Sequence, residues 1–301
     1  MKRDDSLWKA ILEDVFDDFL VFFFKEDAHL FDFDKGFVFL DKELEQLFPS
    51  TDDKQTPRFV DKLVKVFTKT GKEEWVLVHV EVQGYNDSEF AKRMYSYFYR
   101  ILDRYNKPVT CIAIFTDSNK NFRPATFSYN FLGTENYFKY NTYKVIDQQE
   151  SELRNSDNPF ALVILTVLTA LKKGKIPDEK LLNLKISLVK LLLQKEIPKP
   201  KIESILIFLR DYVRFDNVEI MTKFDAELNL ITNKHTTVGI KEFLLERAKK
   251  EGDKVINQKN HDFVEVLLTE TDFTVEKIAD KVGVSISFVE DVKASLALTS
   301  K

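Results

Sequence analysis

The sequence predicts an α/β core followed by an all-helical C-terminal region. Three observations carry this. Residues 59–67 and 74–83 are alternating apolar stretches separated by the turn chemistry of Thr70-Gly71-Lys72, so they read as a β-hairpin. An amphipathic helix over 88–105 follows, then a continuously apolar strand over 109–116, which gives the order helix, strand, strand, strand, helix, strand. From Asp147 to Asn158 the chain turns polar, and beyond Pro159 helical spacing dominates.

Taken in order, Leu7, Ile11, Val15 and Phe19 recur at helical spacing, with Asp5 or Ser6 as the expected cap. Phe19 to Phe24 is continuously apolar and is expected under the sheet. Lys35-Gly36 marks a turn, 37–40 a short strand, and 41–48 one or two helical turns ended by Pro49. In 75–83 the residues Val76, Val78, Val80 and Val82 line one strand face, and Leu77, His79, Glu81 and Gln83 the other. Pro108 ends the long helix, and 122–129 is expected as a further strand. Later helices are expected over 159–172, 178–194, 199–215, 238–258 and 261–269.

Composition narrows the class. The chain has 301 residues, 44% hydrophobic and 31% charged, enough for a real core and a solvated surface. A net charge of −4 argues against a general nucleic-acid binder, and residues 1–60 hold 15 acidic against 8 basic side chains, so any basic surface is local. The single cysteine, Cys111, lies in an apolar run and reads as a small core residue, which fits a reducing, cytoplasmic setting. No secretory leader is visible. The longest apolar run, 160–171, is too short to span a bilayer, so no membrane association is expected. No zinc motif, P-loop or dinucleotide fingerprint is present, and His29, His235 and His261 form no ligand spacing with Cys or another His.

Two acidic residues stand out. Asp61 and Glu81 sit in otherwise apolar strands that the hairpin brings side by side, with Gln83 two residues beyond Glu81 on the same face. Paired carboxylates raise each other's pKa unless a cation neutralises them. Mg²⁺, or Mn²⁺ in its place, is the usual answer, with oxygen ligands from carboxylates, water and substrate phosphate. The Val82 carbonyl is a further candidate ligand. On spacing alone the alternative stands beside it: Asp61 paired with Lys62 or Lys65, and Glu81 with an arginine. His79 shares the Glu81 face one step deeper, as a core histidine or a support for the metal ligands.

The pattern Asp61…Glu81-Val82-Gln83 on two strands followed by a helix resembles the Asp…Glu-x-Lys core of PD-(D/E)XK nucleases. The flanking words Phe59-Val60-Asp61-Lys62-Leu63-Val64-Lys65-Val66 and Trp75-Val76-Leu77-Val78-His79-Val80-Glu81-Val82-Gln83-Gly84 are similar to the PD-(D/E)XK transposases, also called the recombination-promoting nuclease family. So are Phe90-Ala91-Lys92-Arg93-Met94-Tyr95-Ser96-Tyr97, Tyr99-Arg100-Ile101 and Asp103-Arg104-Tyr105. The resemblance covers about the first 145 residues. It implies a restriction-endonuclease-like domain over 1–146, and a metal-dependent DNA endonuclease tied to recombination or mobile elements. Asp61, Glu81 and Gln83 would be its catalytic residues. Gln83 stands where the wider superfamily has lysine. An amide can orient a water or a phosphate oxygen but adds no positive charge, and Lys65, on the Asp61 face, is the better substitute over Lys62. The resemblance also makes Glu13 a candidate extra metal ligand, beside its plain reading as a solvated helix position.

Arg93, Tyr97, Arg100 and Arg104 recur at i, i+4, i+7 and i+11 on one helix face, a stripe suited to DNA phosphates. The alternative is that these arginines pair with Asp87, Glu89 and Asp103, and Arg93 and Tyr97, nearest the proposed site, are the first candidates for DNA contact. Within the helical region 147–301, residues 274–297 fit a helix-turn-helix-like hairpin, with Ala279 packed between helices, Gly283 in the turn and Val289 as anchor. Glu290 and Asp291 make it a poor DNA reader and a better partner-binding or body-packing element. Double-strand cleavage needs two sites, so a homodimer is expected. The alternative to an enzyme is an inactive nuclease-like protein that binds nucleic acid or protein.

Overall fold

The computed structural model describes residues 2–40, 60–70, 75–233, 256–257, 259–269, 271 and 273–299. The side chains of 2–3, 60–61, 75–81, 83, 233, 294–295 and 297–299 lie outside that description. So do the expected helical turns at 41–48, the turn at 71–72 and most of the expected helix 238–258. The chain is a mixed α/β protein, mostly helical, and falls into two compact units, 1–231 and 232–301.

In the first unit, α1 (Lys2–Asp14) and α2 (Phe16–Phe23) divide the expected first helix at Val15, where the backbone leaves helical geometry. The helix starts ahead of Asp5 and Ser6, so neither caps it. The five-stranded sheet has the order β1-β2-β3-β4-β7. Its strands are β1 (Phe37–Phe39), β2 (Val60–Phe67), β3 (Trp75–Gln83), β4 (Val109–Phe115) and β7 (Asn141–Lys144). β2 runs antiparallel to both of its neighbours, β1 and β3, and β3, β4 and β7 run parallel. Between β3 and β4 the chain crosses over through α3 (Phe90–Tyr105), which ends on Asn106 in the left-handed conformation, two residues before Pro108.

The two sheet faces have different covers. On one, Phe16 meets Phe37 and Phe39 edge-on, 5.0 and 5.7 Å between centroids, and Val64 and Val66 are buried. On the other, Phe90 and Met94 of α3 pack on Cys111, Ala113 and Phe115, and Leu63 packs with Ile101. The expected strand 122–129 is displaced. Pro124 offers no N–H to a ladder, and pairing begins at Thr126. β5 (Thr126–Phe131) and β6 (Thr134–Lys139) then make a separate two-stranded sheet.

Beyond β7 the described residues form helices: α4 (Glu150–Asn155), α5 (Pro159–Ala170), α6 (Asp178–Gln194), α7 (Lys199–Tyr212) and α8 (Val218–Asn233). Asn158 caps α5, its Oδ1 accepting from the Phe160 N–H at 2.8 Å. α4 to α7 and most of α8 belong to the first unit, so the change of composition at 147 is not the boundary between compact units. Phe160 packs on Phe19, and Phe208 on Trp8, at 5.2 and 5.4 Å. The second unit holds α9 (259–269), α10 (Val275–Val282) and α11 (Ile286–Thr299) around Val264, Ile278, Ala279, Val289 and Val292. Gly283 makes the α10–α11 turn at φ 75°. Ala279 and Val289 sit in this core as the helix-turn-helix-like pattern requires.

Candidate functional site

The β2–β3 register pairs Asp61 with Glu81 directly, and Gln83 lies two residues further along β3. Cross-strand partners share a sheet face with Cβ atoms about 4.5–5.5 Å apart, so this pairing sets two acidic positions side by side. The structure describes the backbone of these three residues and not their side chains. Strand direction fixes their place in the sheet. β3, β4 and β7 are parallel and end at one edge, and β2, antiparallel to β3, begins there. Asp61 is the second residue of β2, and Glu81 and Gln83 close β3. The candidate site is therefore one sheet edge, the usual place for chemistry in open α/β sheets.

Glu13 is placed on the α1 side of the sheet. Its Oε1 accepts from Lys62 Nζ at 2.6 Å, and Lys62, only 1% exposed, lies over the Phe39 ring. Lys62 thus faces α1, and strand alternation puts Asp61 on the other face. Val82 is buried in a strand paired on both sides, so its carbonyl has only its second lone pair for a metal. Lys65 shares the Asp61 face but lies four residues away, about 13 Å along the strand. Its Nζ sits 5.1 Å from the Phe67 ring centroid. His79 pairs with Leu63 and with Cys111, one step inside Glu81 on the same face.

α3 starts at the candidate edge and runs away from it, antiparallel to β3 and β4. Arg93 lies in its first turn, at the end nearest the site. Arg93 pairs with Asp87, both largely buried, and lies over the Phe90 ring at 5.1 Å. Arg100 and Arg104 are exposed, about 10 and 16 Å further along the helix axis. Tyr97 packs against the Leu63–Ile101 cluster. The four residues share a stripe, but only its Arg93 end approaches the Asp61–Glu81 edge.

Sequence reading missed a second pair at this edge. Lys144, the last residue of β7, donates to Asp117 just beyond β4 at 2.5 Å, each side chain 6% exposed. Asp117 also accepts from the Asn119 N–H at 2.8 Å, and Lys144 lies over the Phe115 and Phe122 rings. The register Gln83↔Phe115↔Lys144 puts Lys144 two strands, about 10 Å, from Gln83. A Lys in a short polar run was the only signal available.

Among the described residues one cluster has carboxylate and imidazole atoms close enough together for a metal: His261, Asp262 and Glu265 on α9. His261 Nδ1 lies 3.8 and 3.9 Å from the two carboxylates, ion-pair spacing on one helical turn. No described helix is long and apolar enough to cross a membrane. Compared with protein-family models, with curated proteins and with solved structures, the chain matches none.

Proposed function

We propose that this chain is a metal-dependent DNA endonuclease with a restriction-endonuclease-like core of the PD-(D/E)XK type, acting in recombination or on mobile elements. The observation that carries the reading is the direct pairing of Asp61 with Glu81 at the edge where β3, β4 and β7 end. Two adjacent carboxylate positions beside a backbone carbonyl form a hard oxygen donor set, which fits Mg²⁺ or Mn²⁺. When bound, such an ion activates a water and offsets charge on the phosphodiester. Asp61 and Glu81 hold that ion, and Gln83 orients the attacking water or a phosphate oxygen through its amide. Arg93 at the start of α3 steadies the DNA backbone, and α3 directs its N–H groups and positive dipole end at the same edge.

A second reading, a DNA- or protein-binding module that no longer cuts, has one observation in its favour. The three described strand lysines nearest the pair are engaged elsewhere: Lys62 with Glu13, Lys65 beside Phe67, Lys144 with Asp117. Plasmid nicking with Mg²⁺ or Mn²⁺ separates the two. The nuclease reading expects Asp61→Ala and Glu81→Gln each to lose more than about 100-fold, beyond the loss typical of a mere support for a ligand. Equal, low cleavage by wild type and Asp61→Ala, with DNA binding retained, leaves only the binding module.

A further inference from the structure

The β5–β6 hairpin exposes several large apolar side chains. Tyr129, Phe131, Leu132 and Tyr137 are 49, 60, 88 and 69% exposed, a concentration of large apolar side chains on one short element. Its turn is Leu132-Gly133, with φ 47° and 82°, the two positive values of a type I′ turn. That turn favours Asn at its first position, and a bulky leucine there is both strained and in water. Residues 126–139 carry one acid, Glu135, and one base, Lys139. Exposed aromatics with so few charges describe a protein interface and not a phosphate-binding one.

The hairpin also has an open edge. It is a two-stranded sheet, a unit that gains independent stability only from further strands or a packed face. α3 packs on one face of the hairpin, Tyr95 stacking on Phe127 at 4.9 Å and Phe98 on Phe138 at 4.6 Å, and no described strand pairs with the outer edge of β6. A two-residue turn makes Phe131↔Thr134 a hydrogen-bonded pair, so hydrogen-bonded and open pairs alternate from there. Glu135, Tyr137 and Lys139 then direct their N–H and C=O groups outward. No proline or bulge interrupts the strand.

We infer that β6 is the dimerisation edge of this protein, and that its occupant is β6 of a second copy of the chain. Twofold antiparallel pairing requires that outward-directed residues meet. Centred on Tyr137, it sets Tyr137 beside its own copy and Glu135 opposite Lys139 of the other chain, twice, in a continuous four-stranded sheet. The charges are self-complementary in that register. Glu135 has only an amide bond, from Asn130 Nδ2 at 2.8 Å, and Lys139 has no acidic partner among the described residues. Antiparallel pairing carries the Leu132 tip of each hairpin to the base of the other, which accounts for an apolar residue at a turn. The corresponding register on β5 would meet through Thr126, Ser128 and Asn130, with no charges to match.

Sedimentation of the full chain across a concentration series tests this and needs no DNA, so its result is independent of the nuclease reading. The wild type is expected to dimerise reversibly. Glu135→Lys and Lys139→Glu each set like charges opposite one another twice and should weaken the dimer about tenfold or more. Combining them restores the pairs and should return the dissociation constant to within about threefold of wild type. Tyr137→Pro removes an outward N–H without touching a bond inside the hairpin and should give a monomer. If that variant fails to fold by circular dichroism, the charge swap decides alone. A monomer at every concentration overturns the inference, as does a dimer indifferent to both single charge reversals. A monomer whose duplex DNA affinity drops with Leu132→Asn also overturns it, and assigns the hairpin to nucleic acid.

Discussion

Replacing Lys185 with methionine should change how stability depends on pH. Lys185 is 2% exposed in α6, and its Nζ donates to the carbonyls of Arg210 and Val213 at 2.8 Å each. Those carbonyls belong to the last turn of α7 and would otherwise be orphaned. The Phe224 and Phe215 rings lie 3.9 and 4.9 Å from the same nitrogen. Burial pushes the ammonium pKa down from 10.5 to about 7, against the pull of Asp225 and Asp211. Between those two values the unfolded chain binds one proton more than the native one, so stability rises with pH at up to about 1.36 kcal/mol per unit. Below pH 7 both states are protonated and the slope vanishes. From pH 7 to 9 the wild type should gain about 2–3 kcal/mol relative to Lys185→Met. At high pH the variant should be the less stable, since it leaves two buried carbonyls unpaired at about 1–3 kcal/mol each. Urea unfolding at pH 6, 7, 8 and 9, followed by tryptophan fluorescence, measures it, because Trp8 packs on Phe208 and Tyr212 of α7. A difference between the two proteins that stays constant from pH 6 to 9 would refute the reasoning.

Other perturbations have equally definite outcomes. Lys144→Met leaves the Asp117 carboxylate buried without its cation and should cost about 3–5 kcal/mol in thermal or urea unfolding, much of it recovered in the double variant with Asp117→Asn. Cys111 is 4% exposed and burial pushes its thiol up to about 12, so it should resist thiol reagents at pH 8 and react only when the protein unfolds; fast labelling of folded protein contradicts the placement. Arg93→Gln should reduce DNA cleavage and binding more than Arg104→Gln, which lies about 16 Å further along α3; equal effects in binding titrations count against the edge as the site.

The parts of the fold that were legible have a buried face. The valine alternation of residues 76–82 and the alternation of 60–66 fix the hairpin's faces, and so a shared face for Asp61 and Glu81, since a one-residue slip would carry every valine to the α3 side; the direct Asp61↔Glu81 register comes from the structure. α6 begins and ends where its spacing says, at Asp178 and Gln194. β6 and β7 escaped because Thr134–Lys139 and Asn141–Lys144 are mostly exposed and alternate aromatic with polar residues, without an apolar face to read. The Lys144–Asp117 pair was invisible for the same reason, as it joins residues 27 apart through a strand that had not been recognised. The boundary of the first unit lies later than its polar linker because Phe160 and Phe208 carry helices back onto α1 and α2, a long-range effect that no local window contains.

Alternation also settles what spacing left open about the charges near Asp61. Spacing offers both Lys62 and Lys65 as partners for Asp61, and alternation, which sends adjacent residues to opposite faces, already favours Lys65. Lys62 serves Glu13 on the α1 side, so these two offset each other there, and neither adds charge to the Asp61 face. Lys65 keeps the right face at the wrong height. Lys144 has the right height in the register, and Asp117 neutralises it. Gln83 therefore adds no positive charge beside Lys62, Lys65 and Lys144, which are committed, and Arg93 in the first turn of α3 is itself paired with Asp87. On the nuclease reading, a bound divalent ion would then supply most of the positive charge that these described lysines do not. The nuclease reading thus predicts a steeper dependence on metal concentration than a site with a lysine at position 83 would show, and Gln83→Lys is the substitution that would flatten it.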